Sequence, residues 1–174
     1  MFFGSHTFFL MKDGSVKCCG NNQYGQLGLG DTISKSILLY HHLNKVKEIV
    51  CGGSHTFFIM EDGTIKCCGH NSYSQLGLGD TNHRTSLVDH PLTGVKKIVC
   101  GSSYTFFIME DDTIKCCGSN YYGQLGIGNT NDQTNLITHP LTGVKNIVCG
   151  ENHTFFIMED GTIKCCGYNS SGQL

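Results

Sequence analysis

The chain carries little charge and has no long apolar segment. Lys, Arg, Asp and Glu make up 15% of its 174 residues, and the formal net charge is −2. This balance gives no basic footprint for nucleic acid or for an anionic membrane surface. No apolar run approaches the roughly 18 residues of a membrane span, and the amino-terminal residues 1–6 do not resemble a secretory signal. We therefore expect an intracellular protein of the cytoplasm or nucleus, not secreted, with no nucleic-acid or membrane partner.

Disulfide bonds are not predicted, although the chain has eleven cysteines. Eight of them form four adjacent pairs. Neighbouring residues of a strand point to opposite faces, so an adjacent pair cannot close on itself without severe strain. The other three, Cys51, Cys100 and Cys149, each end an Ile-Val run. We interpret all eleven as mostly reduced, small apolar residues of the interior.

The chain contains a sequence motif that is repeated at a constant step of 49 residues. Cys18-Cys19-Gly20 and the aromatic pair Phe8-Phe9 both return three times on this step. The later copies are Cys67-Cys68-Gly69, Cys116-Cys117-Gly118 and Cys165-Cys166-Gly167, with Phe57-Phe58, Phe106-Phe107 and Phe155-Phe156. A period of this length predicts a repeat architecture in which each copy is one supersecondary unit stacked on the next.

The first half of each unit reads as a β-hairpin. Thr56–Met60 is rich in aromatic and β-branched residues, Asp62-Gly63 supplies a two-residue turn, and Thr64–Cys68 is the return strand. The predicted pairs are Met60 with Ile65, Ile59 with Lys66, Phe58 with Cys67 and Phe57 with Cys68. Both faces are then apolar apart from Lys66, so the hairpin must be covered on both sides by stacked sheets.

The second half of the unit is a loop followed by two more short strands. Residues 69–79 are dense in Gly, Asn and Ser, which indicates a structured loop. Ser86–His90 and Val95–Cys100 are predicted strands, with Leu92–Gly94 as the turn between them. Four short strands in roughly 40 to 50 residues are typical of a β-propeller blade. The predicted fold is therefore all-β, with blades of four antiparallel strands.

These residues resemble the regulator of chromosome condensation repeat family. The segments that carry the resemblance are 149–154, 160–164, 167–169 and 172–174, together with the loop Gly123-Gln124-Leu125-Gly126-Ile127-Gly128. The resemblance covers essentially the whole chain and implies a propeller of seven blades in a complete family member. We expect one partial propeller over 1–174, with repeats at approximately 4–52, 53–101, 102–150 and an incomplete 151–174.

The chain departs from the family pattern at several positions. Tryptophan is absent, and cysteine stands where the family usually has it, at Cys19, Cys68, Cys117 and Cys166. Tyr104 replaces the histidine found at His6, His55 and His153. Ser74 replaces a loop glycine, and Asp112 replaces a turn glycine where a positive φ is expected. The loss of the aromatic ring predicts blades less stable than the family norm.

The length corresponds to about three and a half repeats, half of a seven-bladed ring. Each chain has four hairpins of the Phe-Phe type and three of the Leu-Val type. Two chains would give eight and six, whereas seven whole blades need seven of each. We therefore favour a fragment, a truncated product or an open arc over a closed dimeric ring. Uncovered blade faces at the two ends are a predicted site of self-association.

No catalytic, cofactor-binding or metal-ligating residue is predicted. Adjacent cysteines diverge on a strand, which disfavours zinc, although the nearby histidines keep that alternative open. Lysines beside the cysteine pairs leave a reactive, redox-sensitive thiol as a minor alternative; they are Lys17, Lys66, Lys115 and Lys164. The loop Gly25–Gly30 lacks the Lys-Ser/Thr of a phosphate-binding loop.

The remaining polar motifs also favour structural roles. His6, His55 and His153 recur at one position of a strand, so we expect hydrogen bonds between blades or to a loop in place of catalysis. The acidic pairs of the hairpin turns are interpreted as solvated turn residues. They are Glu61-Asp62, Glu110-Asp111 and Glu159-Asp160.

Residues that recur in every blade are needed for folding, so partner recognition is predicted in the segments that differ. These are Asp31–His42, Asp80–His90 and Asn129–His139, with the loop positions Asn21–Tyr24, His70–Ser74 and Ser119–Tyr122. The favoured hypothesis is a non-enzymatic protein-interaction module that holds a protein partner on these loops. The family resemblance also implies an alternative, guanine nucleotide exchange on a Ran-like small GTPase. A targeting domain for a ubiquitin ligase is a third hypothesis.

Overall fold

The computed structural model describes residues 4–174, which form fourteen β-strands and four antiparallel sheets. In chain order the strands are β1 (His6–Leu10), β2 (Val16–Gly20), β3 (Lys35–His41), β4 (Val46–Cys51), β5 (His55–Met60), β6 (Ile65–Gly69), β7 (Arg84–Asp89), β8 (Val95–Cys100), β9 (Tyr104–Met109), β10 (Ile114–Gly118), β11 (Gln133–Thr138), β12 (Val144–Cys149), β13 (His153–Met158) and β14 (Ile163–Gly167). No helix among these residues is long and apolar enough to cross a membrane.

Each sheet is a blade of consecutive strands. Blade 1 is β1–β3, blade 2 is β4–β7, blade 3 is β8–β11 and blade 4 is β12–β14. The first strands of blades 2, 3 and 4, which are β4, β8 and β12, contact one another in turn and form the inner edge of the arc. The predicted all-β, partial propeller fold is confirmed.

The predicted register of the Phe-Phe hairpin is wrong by one residue. Ile59 pairs with Ile65 and Phe57 with Cys67, in place of Met60 with Ile65. The turn is one residue longer than expected because Glu61 belongs to it and Met60 lies opposite Thr64: the Met60 amide donates to the Thr64 carbonyl at 2.9 Å. The Asp62 carboxylate accepts from both the Thr64 amide and its hydroxyl, which closes a three-residue loop.

The corrected register still gives a hairpin that is apolar on both faces. Phe57, Ile59, Ile65 and Cys67 share one face, which we call the forward face because it packs on the following blade. Phe58, Met60 and Cys68 lie on the opposite, rear face and pack on the preceding blade. Every residue of β5 and of β9 is buried. The expectation that both sides of the hairpin are covered is confirmed.

The two strands of the second half-unit do not form a hairpin with each other, contrary to the sequence prediction. β7 pairs with β6, through Lys66–Asp89 and Cys67–Val88, whereas β8 pairs with β9 in the next sheet. The turn at Leu92–Gly94 therefore joins the outer strand of one blade to the inner strand of the next. Because both faces of a blade are apolar, each face must be covered by another sheet. The chain therefore starts a new sheet after the turn, and this sheet packs face to face on the previous one.

Edge-to-face phenylalanine pairs stand at the centre of each interface between blades. Phe57 meets Phe107 with ring centroids 5.4 Å apart and an interplanar angle of 90°, in a cluster with Ile65, Leu76 and Cys117. The same step of the sequence pairs Phe8 with Phe58 at 5.1 Å and Phe106 with Phe156 at 5.6 Å. Each ring buries a large apolar area in a favoured aromatic geometry.

The outer faces of the two end blades are exposed in the described part of the chain. Ile163 on the forward face of blade 4 is 64% exposed, whereas its sister Ile65 is 2% exposed. Phe9 on the rear face of blade 1 is 45% exposed, and its sister Phe58 is fully buried. These are the uncovered apolar faces that the repeat count anticipated.

Among residues 4–174, three residues other than glycine have a positive φ. Asp112 has φ 62°, as the sequence predicted, where the sister turns have Gly63 and Gly161. Ser74 has φ 60° in the signature loop. The third, Lys45 with φ 55°, was not anticipated, although the sister positions are Gly94 and Gly143. A side chain in this region of φ is strained.

Candidate interaction surface

The loop end of the arc is built on buried amide side chains. Asn71 and Gln75, both fully buried, organise the loop after β6. The Asn71 Oδ1 accepts from the Leu76 amide at 2.9 Å, and its Nδ2 donates to the Asp80 carbonyl at 2.9 Å. Asn22 and Asn120 make the same two bonds in blades 1 and 3. The loop that superficially resembles a phosphate cradle is a rigid structural turn.

This scaffold displays a row of tyrosines, which we call the tyrosine row: Tyr24, Tyr73 and Tyr122. Each stands one 49-residue step from the next and is 38 to 44% exposed. The amide of each tyrosine donates to the Oε1 of the buried glutamine two residues later, at 2.9 to 3.1 Å. Tyr122 also packs edge-to-face on Tyr168 of the next loop, with centroids 4.9 Å apart. The row is therefore preorganised and partly open to a partner.

The predicted loop segments Asn21–Tyr24, His70–Ser74 and Ser119–Tyr122 contain all three tyrosines, but the sequence does not single them out, because recognition was sought in residues that differ between blades. The signal was available in the 49-residue step itself. A large aromatic side chain that recurs in the loops of blades 1, 2 and 3 and is still 38 to 44% exposed contributes only part of its surface to folding. Rigid, partly exposed tyrosines are typical anchors of protein interfaces.

The predicted variable loop positions include this row, and the residues around the tyrosines differ in chemistry from blade to blade. In blade 2 the rings of His70 and His83 stack with centroids 4.7 Å apart, and Tyr24 of the preceding loop packs on His70 at 4.5 Å. In blade 3 the neighbouring Tyr121 is 72% exposed. The loops therefore meet across the blade boundaries and form one continuous surface.

The predicted variable segments run from this loop end along the outer strands. Their first residues, Asp31, Asp80 and Asn129, accept hydrogen bonds from the buried asparagines of the loops. Blade 1 differs from blades 2 and 3 in its variable segment, because Ile33, Ile37 and Tyr40 are each at least 67% exposed. The sister positions are polar: Asn82, Ser86 and Asp89 in blade 2, Asn131, Asn135 and Thr138 in blade 3.

A buried histidine at the end of each variable segment, or next to it in the first segment, is structural, which corrects its assignment to the partner surface. His90 is buried between blades; its Nε2 lies 2.9 Å from the Leu76 carbonyl oxygen, and its Nδ1 accepts from the Leu92 amide. Its ring stacks on Phe107 at 5.3 Å. His41 and His139 occupy the same position in their blades. Burial lowers the pKa of His90 to about 4.

Two of the three histidines at the start of the Phe-Phe strands, His6 and His55, join neighbouring blades, as the sequence predicted; the ring of His153 packs on Phe155 of its own blade. The Nε2 of His55 lies 3.1 Å from the Thr105 hydroxyl, which itself donates to the Gln75 carbonyl. His6 makes the equivalent contact with Thr56 at 2.8 Å. Because each threonine hydroxyl donates elsewhere, the histidine Nε2 must carry the proton. Burial lowers the pKa of His55 to about 3 and that of His6 to about 4.

Tyr104 replaces this histidine in blade 3 and still bridges two blades. Its hydroxyl lies 2.6 Å from the His153 carbonyl oxygen and 3.2 Å from the Thr154 hydroxyl. The exchange of ring is accommodated by glycine, because a Cβ at Gly101 would stand 2.0 Å from the Tyr104 ring. The substitution therefore preserves the contact between the blades and removes a titratable imidazole.

The opposite end of the arc carries the acidic hairpin turns, and their aspartates have a structural role. Asp62 accepts from Thr64, and this hydroxyl bond, followed by the amide bond, lowers the pKa of the carboxyl. The same bonds hold Asp13, Asp111 and Asp160. All four side chains are exposed, as expected for solvated turn residues.

Burial disfavours a reactive thiol at the cysteines of the interior, whereas Cys165 is exposed in the end blade. All eleven are free, and burial raises the pKa of Cys51, Cys67, Cys116 and Cys149 to about 12. A raised pKa disfavours the thiolate that redox chemistry requires. Within residues 4–174, no three His, Cys, Asp or Glu side chains converge as metal ligands.

Comparison with known proteins accounts for this architecture. The regulator of chromosome condensation (RCC1) repeat matches residues 13–59, 62–108 and 113–157, and a second description of the same repeat matches 46–75, 95–124 and 144–173. Comparison with curated protein sequences gave no match.

Solved propellers share the fold at low sequence identity. Human WBSCR16 is 23% identical with a TM-score of 0.76, and the alignment covers 95% of this chain and 45% of that one. Yeast RCC1 (Prp20), solved bound to Kap60, is 19% identical with a TM-score of 0.79, over 95% and 40% of the two chains. A second structure of Saccharomyces cerevisiae Prp20p, described with its binding to Gsp1p and histones, is 20% identical with a TM-score of 0.78, over 95% and 42%.

The chain thus spans less than half the length of these solved relatives. The family matches cover most of its residues, and those that begin at residues 46, 95 and 144 recur on the 49-residue step of the blades. The chain belongs to the regulator of chromosome condensation (RCC1) repeat family.

Proposed function

We propose that this chain is a non-enzymatic protein-interaction module that binds a protein partner on its loop end. The observation that carries the proposal is the tyrosine row, three partly exposed rings at a constant step on loops fixed by buried amides. Rigid tyrosines present a large contact area at a small cost in conformational entropy. Eleven free cysteines support an intracellular setting for this interaction.

The fourth loop supplies a matched substitution for testing the row. Ser171 stands one step after Tyr122, and its amide makes the same bond, to the Gln173 Oε1 at 2.9 Å. Replacing Tyr24, Tyr73 and Tyr122 by serine therefore keeps the loop scaffold. The control replaces exposed turn residues at the opposite end, as Glu61→Ala, Glu110→Ala and Glu159→Ala.

The experiment is a direct titration with a purified partner first identified by affinity capture. We expect the serine variant to bind at least about tenfold more weakly, the effect of losing one or more aromatic anchors, while the alanine control binds like the parent. Equal binding by the parent and the serine variant would contradict the proposal. Size-exclusion chromatography of each variant separates this binding from self-association through the exposed end faces.

Guanine nucleotide exchange on a Ran-like small GTPase is the second candidate. It is favoured by the shared fold with Prp20p, whose structure is described with its binding to Gsp1p. The uniform 49-residue step leaves no room for an inserted element that would act on a nucleotide site. Release of fluorescent nucleotide from a panel of small GTPases tests it: accelerated release would establish exchange, and unchanged release beside a stable complex would support the interaction module.

A further inference from the structure

The loop of blade 2 differs from its sisters in being held by two histidines. His83 accepts the hydrogen bond of the Asn71 amide through its Nδ1 at 3.0 Å. His70 accepts from the Gln75 Nε2 through its own Nδ1 at 2.6 Å. The sister acceptors are not imidazoles: Ser34 and Asn21 in blade 1, Asp132 and Ser119 in blade 3.

Both donors are fixed in orientation, so both histidines are held in one tautomer. A backbone amide such as that of Asn71 can only donate. The Gln75 amide cannot turn over, because its Oε1 accepts from the Tyr73 amide at 3.1 Å. Each Nδ1 must therefore keep a lone pair, and the proton of each neutral ring lies on Nε2. A second proton could only go to Nδ1, where it would face an N–H group.

His83 is exposed to solvent, whereas the partly buried His70 has no free carboxylate beside it to compensate an added positive charge. The Asp80 carboxylate is already paired with Arg84 at 2.6 Å. The other titratable side chains near the pair are the phenols of Tyr24 and Tyr73 and the buried imidazole of His55. Burial, and then the neighbouring His83, lower the pKa of His70. Protonation would therefore break the bonds that hold this loop.

We propose that His70 and His83 make partner binding at the loop end acid-sensitive, because the loop is held only while both imidazoles are neutral. This regulation rests on the proposed function, since the loop carries Tyr73 and supports Tyr24. Histidine is the side chain that changes charge in the range of pH 5 to 8. In the loops of blades 1 and 3 the acceptors are not imidazoles, so these loops serve as internal references.

Backbone hydrogen exchange of the full chain tests the opening of the loop without any partner. The Asn71 amide is compared with the Asn22 and Asn120 amides, which hold the sister positions through Ser34 and Asp132. Between pH 7.5 and 5.5 we expect Asn71 to lose protection by at least about tenfold relative to Asn22, since protonation is linked to opening. Global acid unfolding would lower all three protections together.

The matched control takes both residues from blade 1, as His70→Asn and His83→Ser, which keeps an acceptor at each place. In this variant the three amides should follow the same pH profile. Identical profiles in the parent chain, or a selective loss at Asn71 that persists in the variant, would overturn the inference.

Binding is then measured with the purified partner at both pH values. The parent should bind at least about tenfold more weakly at pH 5.5, and the variant should change less than about threefold. If exchange at Asn71 is selective but binding of the parent does not fall, the regulation is refuted. If the tyrosine-row variant binds like the parent, the proposed function fails independently of the exchange result.

Discussion

The interfaces between blades and the loop end both use aromatic residues that recur on the 49-residue step. The interfaces bury these residues, whereas the loop end leaves them partly exposed. At the interfaces, Phe57, Phe107 and Phe156 are at most 3% exposed, and each ring meets another across the boundary. At the loop end, the tyrosines recur on the same 49-residue step but stay 38 to 44% exposed. Recurrence alone therefore does not separate folding residues from recognition residues. Recurrence together with the exposed fraction of the side chain separates the two groups.

The largest expected effect is the loss of the interfaces in acid. Burial lowers the pKa of His6, His41 and His90 to about 4 and that of His55 to about 3. The unfolded chain binds protons first as the pH falls, so the free energy of unfolding is complete above about pH 6.5 and is lost between pH 6.5 and 4. At pH 5 each of the four costs roughly 2 kcal/mol. Urea unfolding at pH 7.5, 6 and 5 measures the loss.

The matched control for this prediction is His55→Tyr, which copies the contact that Tyr104 makes one blade later. Gly52 stands where Gly101 accommodates that ring. The free energy of unfolding of this variant should fall less steeply as the pH is lowered, because one buried histidine fewer contributes to the pH dependence. A free energy of unfolding that stays constant from pH 7.5 to 5 would contradict neutral, buried histidines at the interfaces.

A single interface ring should matter more than any loop ring. Phe107 is fully buried in the cluster between blades 2 and 3, and Phe107→Ala leaves a cavity there. We expect a loss of about 3 to 5 kcal/mol in the free energy of unfolding. Urea unfolding at pH 7.5 provides the measurement. A loss below about 1 kcal/mol would mean that this face is not packed against a neighbouring blade.

Backbone strain offers a smaller effect of opposite sign. Asp112→Gly restores the residue of the sister turns at a φ of 62° and should stabilise the chain by about 1 kcal/mol. The exposed ion pair of Asp112 with Lys96 contributes little to stability in water. Thermal unfolding measures the gain. Ser74→Gly is the informative contrast, because the buried Ser74 hydroxyl donates to the Asp80 carbonyl at 2.8 Å and its loss offsets the relief of strain.

The smallest effect on stability is expected at the tyrosine row. Tyr73→Ser follows Ser171 and leaves the amide bond to the glutamine in place. The free energy of unfolding should change by less than about 0.5 kcal/mol, the usual range for surface substitutions. The same urea experiment decides it. A loss comparable to that of Phe107→Ala would move the tyrosines from the recognition surface into the folding core.

The fold could be predicted because the 49-residue period and the apolar pattern on both faces of the hairpin can be read directly from the sequence. The sequence did not allow the hairpin register to be predicted, since the pairing depends on whether the turn has two residues or three, and the bonds from Thr64 to Asp62 favour three. It also misassigned the partner of β8, because nothing in the sequence of a short strand marks which sheet it enters. The contacts of His6 and His55 between blades were anticipated from their recurrence, whereas the exposure of Tyr24 could not be read from sequence.

The central claim is that successive copies pack face to face, with the forward face of one blade on the rear face of the next. A double-mutant cycle between Phe57 and Phe107, with leucine at each position, tests it most directly. The account predicts a coupling energy of about 1 kcal/mol for this pair, whose rings meet edge to face. It predicts almost none between Phe57 and Phe156, which lie two blades apart. Equal coupling for the two pairs, or none for either, would contradict the arrangement.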